Sequence, residues 1–219
     1  MKTQDNAGKY LLIVVVAVIA LWLLTGCGEM QASVGYTTPN PTTTPQPSPV
    51  PSNQGLNCEV YAIQASTYAG VVNWSALFSA GTPKFSIIQS NLDVQDQLYT
   101  NLFGSFTAQQ QALVGNTNFA LDCEGFLNVP ETNWYVLQLS SDDGSQLIID
   151  DIVVINMPQA QVFTTEKSGV VTLFAGLHKI NVLYFQGPAT YEGLILQWQG
   201  PANQGLGTMG VIPAAALSH

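Results

Sequence analysis

Two adjacent carboxylates, Asp142 and Asp143, stand in a turn sequence between two strand-like segments, and Gly144 and Ser145 follow them. Carboxylate oxygens are the ligands that hard cations such as calcium prefer, and calcium takes about six to eight oxygens. Two acids at a loop tip would leave coordination positions open. The same four residues also suit an ordinary turn, in which Asp accepts backbone N–H bonds and Gly permits positive φ. Both interpretations remain open from these residues alone.

Catalytic chemistry is not indicated elsewhere in the chain. His178 follows a Gly-bearing turn inside a strand-like segment, which favours a structural role over a catalytic one. Asp122, Glu124 and Glu131 could be imagined as a glycosidase acid and base, yet nothing in one sequence places two of them across a bond. No Ser is set in a nucleophile elbow, so no triad is indicated. We predict that the chain is not an enzyme.

The composition is typical of an extracellular β-rich domain. The chain has 219 residues, of which 47% are hydrophobic and only 9% are charged, with 5 Lys+Arg against 14 Asp+Glu. There is no Arg and no basic stripe that could displace counterions from phosphates, so we predict no nucleic-acid partner. The acidic balance would suit hard cations.

The N-terminus predicts export and lipidation. Lys2 and Lys9 flank a short polar segment, and residues 11–24 form an apolar run. This run is shorter than the roughly 20 residues that span a bilayer, as in a signal peptide. Leu-Thr-Gly-Cys at 24–27 resembles the bacterial lipobox, so residues 1–26 are a predicted lipoprotein signal peptide and Cys27 the lipidated residue. The alternative is an uncleaved signal anchor with an incidental Cys.

Residues 27–55 are predicted to be a tether between the lipid and the domain. Its alternating Pro residues keep the chain extended and contribute almost nothing to a core. A Pro-rich ligand for a partner module is the less favoured reading. Gly28 replaces the Asp that retains lipoproteins at the inner membrane of enteric bacteria. We therefore expect a cell-envelope protein anchored to a membrane by lipid, by default in the outer membrane.

The two remaining cysteines, Cys58 and Cys123, form an even pair in an exported domain, which favours a disulfide over two free buried thiols. It would join the first strand of the domain to a strand near its middle. Closing so long a loop would stabilise the fold by a few kcal/mol in the chain-entropy model.

The body of the chain, residues 56–219, is predicted to be one all-β domain. Segments rich in aromatic and branched residues alternate with Gly- or Asp-bearing turns at roughly ten-residue spacing, which predicts an antiparallel sandwich or barrel. Residues 101–113 could hold a short helix, with Gln109, Gln110 and Gln111 facing solvent. The predicted strands cover residues 133–141, 146–150, 152–155, 168–174, 177–185 and 194–198, with a hairpin around Asp150 and Asp151.

An ordered series of motifs resembles the PA14 domain family. The resemblance is strong across residues 119–217 and weaker across 56–118, and it implies a β-barrel or β-sandwich found in bacterial glycosidases, toxins, surface proteins and yeast adhesins. The matching stretches are 119–130 (FALDCEGFLNVP), 139–150 (LSSDDGSQLIID), 173–180 (LFAGLHKI), 184–185 (YF), 194–198 (LILQW), 200–201 (GP) and 211–214 (VIPA).

The resemblance also implies a site. In the family's adhesins an adjacent Asp pair, joined by a cis peptide, holds a calcium ion that binds sugar hydroxyls, and the matching residues are Asp142 and Asp143. The second calcium loop is expected after Trp198, where Gln199, Asn203 and Gln204 stand without a carboxylate. Neutral amide oxygens make a weaker calcium site. The expected metal ligands are Asp142, Asp143 and Asn203, with Gln199 and Gln204 completing the sugar site.

Three functions follow from these observations. The favoured one is a surface adhesin or lectin-like module that binds glycans through calcium. The second is a structural lipoprotein that docks on another envelope protein and binds no sugar. An enzyme is the least favoured.

Overall fold

The computed structural model describes residues 53–79, 81–187 and 190–219. The predicted signal peptide, the lipidated Cys27 and the tether as far as residue 52 lie outside the described residues and stay predictions. Among the residues that are described, no helix is long and apolar enough to cross a membrane.

Twelve strands and two short α-helices are present in the described part of the chain, with three single 3₁₀ turns between them. The elements are β1 (Leu56–Ala62), α1 (Trp74–Ser79), β2 (Phe85–Gln89), β3 (Asp93–Leu98), α2 (Ala108–Val114), β4 (Phe119–Val129), β5 (Asn133–Asp142), β6 (Ser145–Ile149), β7 (Ile152–Met157), β8 (Glu166–Leu173), β9 (Gly176–Gln186), β10 (Tyr191–Gln199), β11 (Gly210–Val211) and β12 (Leu217–Ser218).

The strands form two antiparallel sheets. A seven-stranded sheet has the order β2-β1-β4-β9-β6-β7, and β12 also pairs with β4. A five-stranded sheet has the order β11-β10-β5-β8, and β3 pairs with β10 on the same edge as β11. The all-β antiparallel sandwich predicted from the sequence is confirmed, and every predicted strand is present, most of them one to three residues longer.

The main core lies between the sheets because alternate residues of each strand point inward. In β5, for example, Tyr135, Leu137 and Leu139 are buried, and the residues between them are more exposed. The second half of β9 is buried on both faces, since Val182 and Tyr184 belong to the main core while Leu183 and Phe185 belong to a second cluster.

The second cluster covers the outer face of the seven-stranded sheet. Tyr68 stacks on Phe185 with ring centroids 5.5 Å apart, and Trp74 of α1 packs against the same ring. The segment from Ile63 to α1, which had no regular pattern in the sequence, thus packs over the outer face of the seven-stranded sheet.

The predicted helix within 101–113 is present as α2, but its orientation differs from the prediction for one residue. Gln111 is buried, with only 4% of its surface exposed. Its Oε1 accepts the N–H of Phe103 at 3.2 Å, and its Nε2 donates to the carbonyl of Gly115 at 2.5 Å. The prediction that Gln111 faces solvent was wrong because a glutamine amide can replace water as the partner of loop backbone.

The predicted disulfide is confirmed: Cys58 and Cys123 are bonded. They lie directly opposite each other on the neighbouring strands β1 and β4, and both are fully buried. The bond joins strands that are 65 residues apart in sequence.

The predicted hairpin at Asp150 and Asp151 is also present, between β6 and β7. Both Asp residues have positive φ, which Asp tolerates better than most residues. His178 supports this turn, since its Nδ1 lies 2.6 Å from Asp150 Oδ2 and its Nε2 lies 2.8 Å from the Phe174 carbonyl oxygen. These contacts agree with a structural role for His178.

Candidate functional site

The acid pair lies where the chain passes from the five-stranded sheet to the seven-stranded sheet. Asp142 is the last residue of β5, and β6 begins at Ser145. The peptide bond between Asp142 and Asp143 is cis. Two residues therefore make the whole connection, and regular structure on both sides holds the carboxylates.

The carboxylate of Asp143 joins segments that are far apart in sequence. Its Oδ1 accepts the N–H of Gln161 at 3.1 Å, and its Oδ2 accepts the N–H of Gly187 at 2.8 Å. Burial raises the pKa of this carboxyl, and the two N–H groups act against that rise. Asp143 thus has the structural role expected of an Asp in a turn, since its carboxylate accepts backbone N–H groups. This role does not prevent it from also binding a cation.

Gly144 is required at this crossing by close packing, not by its φ angle. It is absent from the glycines with positive φ, so a left-handed turn conformation does not explain why this residue is Gly. A Cβ at this position would lie 2.3 Å from Phe185 Cε1 and 2.7 Å from the Met157 carbonyl oxygen. Side-chain volume, which the turn sequence does not show, decides the residue.

We expect Gly144→Ala to destabilise the domain by about 1–3 kcal/mol, since a methyl group must displace a buried ring and a backbone carbonyl. Urea unfolding measures the loss. Gly210→Ala is the matched control, because nothing lies within 4 Å of its Cβ position and its φ is not positive. Equal unfolding midpoints for the two variants would contradict the packing argument.

Asp142 carries negative charge that no neighbouring cation balances among the described residues. Burial, together with the carboxylates of Asp143 and Asp96, raises the pKa of its carboxyl to about 7. A hydrogen bond from the backbone of Phe163 opposes the rise. A bound cation would remove this repulsion.

Glu192 is a fourth carboxylate of this region, beside Asp142, Asp143 and Asp96, and it was not predicted from the sequence. The side chain is fully buried, its Oε1 accepts from Gln97 Nε2 at 3.0 Å, and its Oε2 has no hydrogen-bond partner among the described residues. Burial raises its pKa to about 7, and Asp142 contributes to the rise. Leu194, Leu196 and Trp198 share the inward face of β10 because alternate residues of a strand point the same way. The residue two positions before Leu194 is Glu192, so the same alternation predicts that it also points inward.

The structure does not bring Gln199, Asn203 and Gln204 to the acid pair. In the register of β10 with β5, Gly193 lies opposite Asp142 and Gln199 lies opposite Val136. Gln199 therefore lies six residues, at about 3.3 Å each, from the level of Asp142, which is roughly 20 Å along the strands. The prediction that one site contains both groups was wrong, because an antiparallel strand carries the end of β10 away from the end of β5.

The three polar residues have other partners at that distant end. Asn203 Nδ2 and Gln204 Nε2 donate to Glu131 Oε2 at 2.7 and 3.2 Å, and Gln199 Nε2 donates to the Gly207 carbonyl at 2.9 Å. The hydrogen bonds from Asn203 and Gln204 lower the pKa of Glu131. These contacts order the loop that follows β10.

Segments other than the predicted loop surround the acid pair. They are the stretch at Gln161 and Phe163, Asp96 on β3, and the start of the connection from β9 to β10 at Gly187. In addition, the Tyr184 hydroxyl oxygen lies 2.5 Å from the Asp142 carbonyl oxygen and 2.6 Å from Gln186 Oε1, and its single proton can be donated to either. The loop before β10, not the one after it, is thus the neighbour of Asp143.

The residues present fit a calcium ion in kind. Two carboxylates, a nearby excess of negative charge and backbone oxygens are the groups that calcium prefers. In the described part of the chain, however, no group of three or more His, Cys, Asp or Glu is arranged to hold a metal ion. Asp142 and Asp143 would therefore hold the ion together with backbone oxygens and water.

The model of one protein family, described as the PA14 domain, matches residues 59–206, which is more than half of the chain. The chain belongs to the PA14 domain family. No curated protein matches the sequence.

Solved structures share the PA14 fold with this chain. A PA14 sugar-binding domain from an RTX adhesin is 22% identical, with a TM-score of 0.58 over 77% of this chain and 99% of that one. The Epithelial Adhesin 6 A domain from Candida glabrata, in complex with Galb1-3GlcNAc, is 13% identical, with a TM-score of 0.51 over 79% and 90%.

A third structure, an anti-sigma factor domain-containing protein from Clostridium clariflavum, is 21% identical, with a TM-score of 0.57 over 79% of this chain. This PA14 chain spans about half the length of that protein, since 50% of it is covered. All three likenesses establish the fold.

Other candidate residues have definite places in this PA14 domain. Trp198 belongs to the core, since 4% of it is exposed and its ring centroid lies 5.9 Å from that of Tyr135 in a stacked arrangement. Asp122 and Glu124 lie side by side on β4, where Asn181 Nδ2 donates to Asp122 Oδ1 at 2.6 Å. Glu131 lies elsewhere, against Asn203. The three acids that could have formed a glycosidase pair are thus not gathered in one place.

Proposed function

We propose that this PA14 domain is a carbohydrate-binding and adhesion module of the cell envelope, in which Asp142 and Asp143 hold calcium for sugar recognition. Uncompensated negative charge at Asp142 is the observation that carries the proposal. Burial and two neighbouring carboxylates disfavour its ionised form, and no cationic side chain of the described residues acts on its pKa. Such a site gains most from a bound divalent ion.

The chain's own residues would position the ion. Gln161 and Gly187 orient the Asp143 carboxylate through their N–H groups, which leaves lone pairs on both oxygens for a cation. Asp142 is only partly buried, so its carboxylate can reach a ligand from solvent. A bound calcium ion would exchange water ligands for neighbouring sugar hydroxyls.

The envelope location rests on the N-terminal sequence. Lipid on Cys27 and a Pro-rich tether would place the domain outside the cytoplasm, at a distance from the membrane. The sugar-binding adhesins that share its fold support the same assignment. Glycans are accordingly the proposed partners.

Asp142→Asn is the variant that tests the calcium site. Calcium should raise the melting temperature of the wild-type chain, since selective uptake stabilises by about 2.7 kcal/mol at a hundredfold excess over the Kd. We expect the variant to lose most of this rise and to lose binding on a glycan array. Asp143→Asn is less informative, because Asn replaces one of two acceptors that bind backbone N–H groups.

Asp151→Asn is the matched control. This carboxylate is 82% exposed on the hairpin between β6 and β7, and its ion pair with Lys179 is exposed, so it contributes little to stability. The control should keep both the calcium response and the glycan signal. An unchanged melting temperature with calcium and chelator, together with an empty array, would overturn the proposal in favour of docking on another envelope protein.

A further inference from the structure

A polar cavity of about 430 Å³ lies between β3 and the loop that leads to α2. It is separate from the acid pair, because Asp96 on β3 repels Asp142 while its neighbours Gln95 and Gln97 line the cavity. The side chains that carry its chemistry are amides and hydroxyls, from Gln89, Ser90, Asn91, Gln95, Gln97 and Ser105.

Gln89 is the residue that indicates a ligand. Its side chain is only 4% exposed, and its Nε2 has no hydrogen-bond partner among the described residues. Gly104 leaves space for this amide, since a Cβ there would lie 2.5 Å from Gln89 Nε2. A buried amide without a partner is costly, so an acceptor oxygen in the cavity would satisfy it.

The lining selects the chemical class of that ligand. No Lys, Arg or His lines the cavity, which disfavours phosphates, sulfates and carboxylates. The one carboxylate, Asp93, accepts Gln95 Nε2 at 2.6 Å. No aromatic ring is present in the lining, and its aliphatic side chains are Val94 and Leu102 alone, so a flat or apolar ligand would find little contact. Neutral molecules with many hydroxyls remain.

We propose that this cavity binds a neutral sugar residue without calcium. The amides can donate and accept at once, which matches hydroxyl groups that do both. Gln97 holds the wall in place, because its Nε2 donates to the Leu102 carbonyl and to Glu192 Oε1, both at 3.0 Å. The inference goes beyond the calcium site, and neither depends on the other.

NMR titration of the full chain in the presence of chelator tests the proposal. The probes are cellotetraose, mannotetraose and a β-linked galactose tetrasaccharide, each added to about 10 mM, because a single-sugar site is expected to have a Kd on the order of 1 mM. We expect at least one of them to shift the side-chain amide signals of Gln89 and Gln95. Gln89→Met should weaken the binding about tenfold or more.

Gln95→Ala keeps the test valid if Gln89→Met fails to fold, since Gln95 is exposed, and it should also weaken binding. Gln109→Ala, on the exposed side of α2, is the matched control and should bind as the wild type. Asp142→Asn should bind normally in chelator, which separates this cavity from the calcium site. Amide signals that do not move, or that move only with calcium, would overturn the proposal and leave Gln89 solvated by water.

Discussion

Glu192→Gln is expected to stabilise the domain at pH 8 by about 2–3 kcal/mol in the presence of chelator. The carboxyl of Glu192 is fully buried, and burial raises its pKa from 4.5 to about 7. Between these two values the unfolded chain releases its proton while the folded chain keeps it. Stability contributed by the protonated group is therefore present below pH 4.5 and is lost as the pH rises to about 7.

The variant removes that loss because an amide does not ionise. We expect the free energy of unfolding of the variant to exceed that of the wild type at pH 8 and to match it closely at pH 4. Urea unfolding across this range measures both. Glu166→Gln, an exposed Glu on β8, is the control and should change little at either pH. A constant difference between Glu192→Gln and wild type at all pH values would show that its charge is not the cause.

Removal of the disulfide, as Cys58→Ala with Cys123→Ala, should cost about 4 kcal/mol of stability by the chain-entropy model. The bond closes a long loop of 65 residues in sequence, and both sulfurs lie in the main core. Domains of this size are stable by only about 5–15 kcal/mol, so the double variant should unfold at a much lower urea concentration.

Unfolding of the wild type with and without reductant gives the second measurement for the same prediction. All samples carry Cys27→Ala, so that Cys58 and Cys123 are the only cysteines present. The Cys27→Ala chain without reductant is the oxidised reference, and the same chain with reductant is the reduced reference. The reduced reference and the double variant should unfold at similar midpoints. A double variant as stable as the oxidised reference would show that β1 and β4 are held by their packing and hydrogen bonds without help from the bond.

The strands of the C-terminal half were predictable because each carries its own signal. Alternating apolar residues in β5 and turn residues at Asp150 and Asp151 act locally, within one strand or one hairpin. The N-terminal third was harder to read. There α1 and the segment around Tyr68 are held by contacts with Phe185, more than a hundred residues further along the chain.

The candidate site likewise has a part that was predictable from local sequence and a part that was not. Asp142 and Asp143 are consecutive in sequence, so a local motif identified them. Glu192, Gln161 and Gly187 reach it from three other segments, and no local pattern links them. The assignment of Asn203 to the site was wrong for a related reason. Strand direction, and not residue type, decides whether the loop before β10 or the loop after it lies beside Asp142 and Asp143.

The sequence by itself determined the all-β class, the family, the disulfide partners and the acid pair, since each depends on residue types, on their order or on the presence of just two cysteines in residues 56–219. Tertiary structure alone decided which groups surround Asp142, why Gly144 has no side chain and where a buried Gln89 amide lacks a partner. Those features arise where two sheets and their loops meet, and the distances there depend on the packing of the whole domain.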